Sequence, residues 1–261
     1  MLFGICNLSI VPCRKESSDR SEMVTQLLFG ETFEIIERDK TWVKIKTHYE
    51  GYECWIDEKQ FAVIDKDTYK KINSSDNILS ADLIGLITKK EDNVIFPIVL
   101  GSNLPLLKGN KCLIVNQEYN FDGNKIVPPV KKENLRNAIG ETAFMYLNSP
   151  YLWGGKSPLG IDCSGFSQMV YKLNGLKIKR DAHQQAIQGM ALSFVEESEQ
   201  GDLAFFDNEE GRIIHVGIVL KDNKIIHSAG KVRVDNFDHY GIYNTATKKY
   251  SHRLRIIKRY F

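Results

Sequence analysis

Several common signatures are missing from this 261-residue sequence. Its formal net charge is only +2, which gives no indication of a nucleic-acid partner or of binding to an anionic membrane surface. No apolar run approaches the ~20 residues that a membrane-spanning helix needs, so we expect no membrane insertion. The start, MLFGICNLSIVPCRK, has no basic segment, no long apolar segment and no small-residue cleavage site. We expect a cytoplasmic protein as the sequence stands, or a periplasmic or cell-envelope protein if a leader has been removed.

Paired cysteines are also missing. None of the five cysteines forms a C-x-x-C motif, and the odd number fits free thiols in a reducing compartment. The absence of paired cysteine and histidine spacings argues against a zinc site. Neither a disulfide nor a metal is therefore indicated for Cys6, Cys13, Cys54, Cys112 or Cys163.

The first half of the chain has the pattern of short β-strands. Stretches such as TFEIIERD, TWVKIKTHY and GYECWIDE are rich in β-branched and aromatic residues. Polar turns separate them at roughly the 8–12-residue spacing of a small barrel. A second set, including DLIGLIT and NVIFPIVL, follows a polar seam at residues 70–80. We predict two small β-barrel modules, residues 1–73 and 74–128, with no clear sequence repeat between them.

The pattern changes from residue 129 onwards. Three segments, beginning at residues 131, 163 and 180, have a helical character, and strands such as DLAFFD, RIIHVGIVL, KIIHSAG and HRLRIIKRY follow them. Helices first and antiparallel strands afterwards predict an α+β domain over residues 129–261.

One cysteine differs from the others in its position. Cys163, in GIDCSGFS, lies where an extended run becomes a helix whose apolar stripe contains Phe166, Val170 and Leu173. The unsatisfied N–H groups and the dipole at a helix start favour the thiolate, so we expect a lowered thiol pKa. Gly165 leaves room for another element to approach closely. The alternative role for Cys163 is that of a small buried side chain, the commoner role of a cytosolic cysteine.

Two of the six histidines give this cysteine a chemical partner. His215 and His227 lie in consecutive apolar strands separated by Lys-Asp-Asn. If these three residues form the loop, His227 is the diagonal neighbour of His215 on one face, at about 7–8 Å between backbones. A two-residue loop would instead move His227 to the opposite face. The pair then provides a base and an orienting group for a nucleophile. We interpret three other histidines as structural or exposed residues: His48, His239 and His252.

Residues 130–261 resemble the NlpC/P60 family of cell-wall peptidases, which are papain-like cysteine enzymes. The resemblance rests on five blocks in order: SPYLWGGKSPLGIDCSGFSQMVY, RDAHQQA, EQGDLAFFD, HVGIVL and KIIHSAG. It implies helices packed on an antiparallel sheet, with Cys163 as the nucleophile, His215 as the base and His227 as the polar third member. Family substrates are peptidoglycan stem peptides, cut between γ-D-glutamate and a diamino acid, and no cofactor is implied.

The same resemblance implies further residues of the site. Tyr151 matches the tyrosine placed twelve residues before the family's cysteine, which is assigned to the oxyanion site together with backbone N–H groups. Asp162 and Ser164 match positions that line the substrate cleft.

The N-terminal half resembles paired bacterial SH3-like (SH3b) modules. SEMVTQLLFGETFEIIERDKTWVKIKT followed by GYECWI is close to the first module of murein-peptide-recycling members, which forms one wall of the active site and selects a free N-terminal L-alanine. A carboxylate facing that ammonium would be left unpaired by a blocked amine. Glu22 and Tyr52 are the candidates; the alternatives are a surface charge and a ring of the barrel core. The second module matches only loosely and receives no binding role.

Together these residues predict a cysteine endopeptidase that acts on released murein peptides, L-Ala-γ-D-Glu-diamino acid, and that is monomeric. Two alternatives stay open. The first is a non-catalytic cell-wall-binding protein. The second is an acyltransferase or amidase that uses the same Cys-His-His set. Diaminopimelate and lysine are both open as the third stem residue.

Overall fold

The chain forms two compact units, Met1–Pro128 and Pro129–Phe261. The structure, a computed structural model, describes residues 2–128 and 134–261. No helix of these described residues has both the length and the apolar character needed to cross a membrane.

The first unit is built mainly from antiparallel strands. Its elements are β1 (Leu2–Ile5), β2 (Ile10–Arg14), β3 (Met23–Leu28), β4 (Thr32–Asp39), β5 (Trp42–Thr47), β6 (Glu53–Asp57), a 3₁₀ turn (Glu58–Gln60), β7 (Ala62–Ile64), α1 (Lys66–Ser74), β8 (Leu79–Ser80), β9 (Ile84–Lys89), β10 (Val94–Val99), β11 (Lys111–Ile114), β12 (Gln117–Phe121) and β13 (Lys125–Ile126). The strands predicted from TFEIIERD, TWVKIKTHY and GYECWIDE are confirmed as β4, β5 and β6.

Two sheets carry most of this unit. One has the strand order β3-β2-β6-β5-β4-β1-β7, and the other has the order β10-β9-β12-β11. A buried cluster joins residues of both predicted modules, because Phe29 contacts Phe96 and Tyr119 with ring centroids 5.9 and 5.5 Å apart. The two sheets therefore share part of their hydrophobic core.

A helix extends into the segment where the sequence indicated only a polar seam. The carboxylate of Asp65 accepts hydrogen bonds from the backbone N–H groups of Asp67 and Thr68 at 2.9 and 2.8 Å, which caps the start of α1. Ile72 is the buried residue of this helix. Apart from Tyr69 and Ile72, which pack on the core, the nine residues of α1 are polar, so the segment has the composition of an exposed connection.

The second unit combines helices with a closed sheet. Its elements are α2 (Leu135–Met145), β14 (Lys156–Ser157), β15 (Gly160–Ile161), α3 (Cys163–Leu173), α4 (Ala182–Ile187), β16 (Met190–Leu192), a 3₁₀ turn (Val195–Glu197), β17 (Leu203–Asp207), β18 (Ile213–Leu220), β19 (Lys224–Ala229), β20 (Lys231–Asp238), β21 (Gly241–Asn244) and β22 (Lys249–Arg259). The predicted order, helices first and antiparallel strands afterwards, is confirmed.

Strands β17 to β22 close into an antiparallel barrel. The strand order is β16-β22-β17-β18-β19-β20-β21, and β21 also pairs with β22. Apolar side chains fill the interior: Ala204, Phe206, Val219, Ile225, Phe237, Ile242 and Ile257. Outside the barrel, α3 packs against β18 and β19, α4 packs against β18, and α2 packs against α3. This packing places α3 beside the β18–β19 hairpin.

Candidate active site

Cys163 is the first residue of α3, and Asp162 caps that helix. One Asp162 carboxylate oxygen accepts from the backbone N–H of Gly165 at 2.6 Å, and the other accepts from Gly154 at 2.8 Å. The same side chain therefore ends the preceding loop and begins the helix. This double role fixes the backbone on both sides of the cysteine.

A buried ion pair holds Asp162 in place. The Arg180 guanidinium donates to both carboxylate oxygens, at 3.0 and 2.7 Å, and its side chain is only 1% exposed. Arg180 also donates to the Ser164 hydroxyl at 2.9 Å. Asp162 and Ser164 thus belong to one buried network that supports the helix start. Their predicted contact with substrate stays a prediction.

Gly165 allows the loop and the helix to approach closely. A Cβ atom built on Gly165 would lie 2.3 Å from the backbone oxygen of Gly155, and one built on Gly155 would lie 2.3 Å from the oxygen of Gly160. Real Cβ atoms essentially never approach backbone oxygens this closely. The prediction that Gly165 admits a close neighbour is confirmed.

The β18–β19 hairpin has the register that the histidine prediction required. Leu220 pairs with Lys224, which leaves residues 221–223 as the loop. His215 and His227 consequently share the inner face of the barrel, and His215 Nε2 lies 2.8 Å from His227 Nδ1. Gly217 lies two residues after His215 on β18, and a Cβ atom there would lie 2.7 Å from the Ile225 side chain and 3.0 Å from the Cβ of His227. The absence of a side chain at Gly217 leaves space for the side chains of Ile225 and His227.

An acidic residue continues this chain of hydrogen bonds. His227 Nε2 lies 3.0 Å from a carboxylate oxygen of Asp235 on β20, and the Asp235 side chain is only 2% exposed. Arg233 Nη2 donates to one oxygen of the same carboxylate at 2.7 Å, and Arg233 Nε lies 2.7 Å from the other. Burial raises the pKa of Asp235, but the hydrogen bonds from His227 and Arg233 outweigh this effect and hold that pKa below its ordinary value. Asp235 does not stand out in the sequence, because strand alternation places many acidic residues without showing which histidine each one faces.

A third histidine lies against the pair. The ring of His252, on β22, stacks on that of His215 with centroids 4.1 Å apart and planes 22° apart. The interpretation of His252 as a structural or exposed strand-end residue is therefore incomplete. A register shift between Phe205 and Phe206 in the β17–β22 ladder interrupts simple alternation along β22. Counting along the strand therefore does not show which face His252 occupies.

The three imidazoles do not have the arrangement of a metal centre. Their ligand nitrogens lie within 4.8 Å of one another. However, His215 and His252 are stacked, so their lone pairs lie in nearly parallel planes and do not converge on one point. The facing nitrogens of His215 and His227 already share a hydrogen bond. The geometry therefore favours proton transfer along the chain of histidines.

Burial decides the protonation states of the cysteine and the base. It raises the pKa of the Cys163 thiol to about 12, and the charge of Asp162 adds to this, while N–H groups of Val216 and Ser164 act in the opposite direction. The expectation of a lowered thiol pKa is wrong, because desolvation outweighs the helix-start N–H groups. Burial, followed by the neighbouring His227 and His252, holds the pKa of His215 well below its ordinary value. Both reacting groups are therefore neutral at rest.

The Cys163 sulfur lies beside the strand that carries the base. The backbone N–H of Val216, the residue after His215, hydrogen-bonds to the sulfur. Because His215 Nε2 is engaged with His227, Nδ1 is the nitrogen that remains to accept the thiol proton.

Tyr151 belongs to the same neighbourhood. Burial, followed by the charges of Cys163 and Asp162, raises the pKa of Tyr151. The phenol is therefore protonated and able to donate a hydrogen bond. Its backbone is fixed by a hydrogen bond from its N–H to Gly230 at 3.0 Å.

The two candidate amine-reading residues lie in the first unit. Glu22 is exposed, and one of its carboxylate oxygens lies 3.5 Å from Lys15 Nζ. Tyr52 is half-buried and packs against the core that β1 to β7 enclose. Their role in substrate binding stays a prediction.

Comparison with known proteins agrees with this geometry. A profile of the NlpC/P60 family matches residues 148–252, and a profile described as the bacterial dipeptidyl-peptidase Sh3 domain matches residues 13–61. A γ-D-glutamyl-L-lysine dipeptidyl-peptidase of Bacillus subtilis is 30% identical over 78% of this chain and 71% of its own length. The protein of the same name in Bacillus cereus is 28% identical over 81% of this chain and 68% of its own.

This chain belongs to the NlpC/P60 family. The crystal structure of an NlpC/P60 family protein from Bacillus cereus superimposes with a TM-score of 0.82, covers 99% of both chains and is 22% identical, so it shows the same fold. The NlpC/P60 profile includes Cys163, His215, His227 and His252. The first unit contains an SH3-like domain, and its profile includes Glu22 and Tyr52.

Proposed function

We propose that this NlpC/P60 protein is a cysteine peptidase that hydrolyses the bond between γ-D-glutamate and the diamino acid of peptidoglycan stem peptides. The relatives named γ-D-glutamyl-L-lysine dipeptidyl-peptidases support this substrate class. The observation that carries the proposal is the hydrogen-bonded pair His215–His227, next to a cysteine at a helix start. A wall-binding protein has no need of a nucleophile, a base and an orienting group in one site.

The first half of the reaction forms a thioester. The thiol proton of Cys163 moves to His215 Nδ1 while the sulfur forms a bond to the γ-carbonyl carbon. The charge that develops on the carbonyl oxygen is stabilised by the Tyr151 hydroxyl and by N–H groups at the start of α3. The imidazolium of His215 is stabilised through His227. The carbon–nitrogen bond then breaks, and His215 returns its proton to the leaving amine.

The second half releases the product. A water molecule gives a proton to His215 Nδ1 and adds its oxygen to the thioester carbon. The carbon–sulfur bond then breaks, the sulfur recovers the proton, and the γ-D-glutamyl acid leaves. No cofactor takes part in either half.

The SH3-like domain supplies selectivity in this proposal. Glu22 and Tyr52 read the free ammonium of an N-terminal L-alanine, and Asp162 and Ser164 line the cleft beside the cysteine. The enzyme consequently releases the dipeptide L-Ala-D-Glu from small soluble peptides. Residues 74–128, with their four-stranded antiparallel sheet, form a second SH3-like module without an assigned binding role.

Mass spectrometry of four peptides tests the proposal. L-Ala-γ-D-Glu-L-Lys, the corresponding diaminopimelate peptide and the N-acetylated form of each are incubated with the protein. We expect L-Ala-D-Glu from the unblocked peptides only, no turnover by Cys163→Ala, and retained turnover by the control Cys112→Ala. Equal cleavage of acetylated peptides would remove the roles of Glu22 and Tyr52. Turnover by Cys163→Ala would overturn the nucleophile.

A further inference from the structure

Asp235 is buried at the end of the histidine pair and lies beyond the three residues that carry the proposed chemistry. Its carboxylate faces His227 Nε2 at 3.0 Å, and His227 Nδ1 in turn faces His215 Nε2 at 2.8 Å. In this row of Asp235, His227 and His215, each of the ring nitrogens named has one hydrogen-bond partner, so the proton on one ring decides which nitrogen of the next ring must donate. The proton positions along the row are therefore linked.

We propose that Asp235 is a positioning residue that fixes the tautomers of both histidines, so that His215 Nδ1 is free to accept the thiol proton. An ionised carboxylate only accepts hydrogen bonds, so His227 carries its proton on Nε2. His227 Nδ1 is then the acceptor, and His215 must donate from Nε2. In a neutral imidazole the other nitrogen is unprotonated, which leaves His215 Nδ1 as a base.

The surroundings of Asp235 keep it in the acceptor state. The Arg233 guanidinium donates from Nη2 to one carboxylate oxygen at 2.7 Å, and its Nε lies 2.7 Å from the other. A guanidinium stays charged at all accessible pH values, so it holds the carboxylate in its ionised form. A protonated or amide side chain at this position would be able to donate to His227, which would reverse the row and put a proton on His215 Nδ1. The base would then be blocked.

The same row stabilises the charge that forms during the reaction. When His215 takes the thiol proton, the imidazolium donates to His227, and His227 donates to the anionic carboxylate. The attraction between the imidazolium and Asp235 acts in a dry environment, since the His215, His227 and Asp235 side chains are all buried. Loss of Asp235 should therefore lower kcat far more than it raises KM.

Histidine ring ¹⁵N spectroscopy tests the inference without any substrate. In the wild-type protein near neutral pH we expect His215 to carry its proton on Nε2, facing His227, and His227 to carry its proton on Nε2, facing Asp235. A proton on His215 Nδ1 in the wild type would overturn the inference directly, whatever the variants do. Because this measurement reads no turnover, it also distinguishes a failure of this inference from a failure of the proposed function on which it rests.

Variants supply the second arm of the test. In Asp235→Ala we expect mixed tautomers at both histidines, slower alkylation of Cys163, and a kcat reduced roughly 10²–10⁴-fold, the range seen when the orienting group of a catalytic histidine is altered. Asp235→Glu keeps a carboxylate and should restore the Nε2–H tautomers. Wild-type tautomers and kcat in Asp235→Ala would overturn the inference.

Asp238→Ala is the matched control. Asp238 lies on the same strand, and its carboxylate accepts from the Tyr250 hydroxyl at 2.6 Å and from the backbone of Tyr240 at 2.8 Å, away from the histidine pair. We expect unchanged tautomers and unchanged kcat in this variant. Altered tautomers in Asp238→Ala would show that any loss of a carboxylate on β20 disturbs the site, and would overturn the specific role of Asp235.

Discussion

The rings of His215 and His252 lie face to face, with centroids 4.1 Å and planes 22° apart. Burial and the neighbouring His227 lower the pKa of His252 to about 4, so above that pH its ring is neutral. His252 in turn contributes to the lowered pKa of His215. The stack therefore favours the neutral form of the proposed base at mildly acidic pH.

Replacing His252 should move the acid limb of the pH profile. His215 works as a base only while it is neutral, so kcat/KM falls as pH drops through its pKa. In the wild type this limb should lie below the ordinary histidine value of about 6.5. His252→Phe keeps a stacked ring but removes a group that would gain positive charge as the pH approaches 4, so the pKa of His215 rises and the limb moves to higher pH.

The control for this shift is His239→Phe. His239 is exposed and packs against Tyr240 with ring centroids 4.0 Å apart, so it matches the ring contact without touching the site. Its profile of kcat/KM against pH should equal that of the wild type. An acid limb at the same pH in His252→Phe and the wild type would contradict the prediction.

The free energy of unfolding should fall as the pH drops below about 6.5. His215 and His252 have pKa values below their ordinary value when folded, so the unfolded chain binds protons first, and stability decreases from about pH 6.5 downwards. Above that pH the two histidines are neutral in both the folded and the unfolded chain, so they do not change the free energy of unfolding with pH. Urea unfolding at pH 7.5, 6.5, 5.5 and 4.5 measures the slope, which should be smaller in His252→Phe. An equal slope would contradict this account.

Breaking the buried pair of Asp162 and Arg180 should destabilise the second unit strongly. Arg180→Met leaves the Asp162 charge buried without its cation, and removing one partner of such a pair costs about 3–5 kcal/mol. Arg212→Met, in an exposed pair with Glu210, should change the free energy of unfolding by less than about 0.5 kcal/mol. Urea denaturation measures both. Similar values for the two variants would show that Asp162 finds other partners.

Gly165→Ala should lower both stability and activity, although alanine is ordinarily favoured over glycine in a helix by about 1 kcal/mol. The added methyl group would meet the backbone oxygen of Gly155 at 2.3 Å, and backbone cannot move without displacing the loop before Cys163. In Gly140→Ala, on α2, the methyl group would meet the flexible end of Gln200 at 2.6 Å. Thermal unfolding and kcat/KM of the two variants test this; equal behaviour would contradict the backbone clash.

Local patterns were sufficient to predict much of the fold. Strands β4 to β6 and the β18–β19 hairpin follow from alternation and from turn residues, which act over a few neighbours. The pairing of His215 with His227 followed from one loop length, because register in a hairpin is fixed by the turn. Helix α1 escaped prediction because its short, mostly polar sequence, KDTYKKINS, has the composition of an exposed connection.

The sequence by itself determined the hairpin and the helix start that carry Cys163, His215 and His227, because short-range rules set those positions. Only the tertiary structure decided that β17 to β22 close into a barrel, which brings Asp235 and His252 from later strands to the same pair of rings. It also decided the protonation states. Helix-start N–H groups are a local feature that lowers a thiol pKa, but the burial that raises the pKa of Cys163 comes from packing against distant strands. Desolvation depends on everything that surrounds a group, and no local pattern records it.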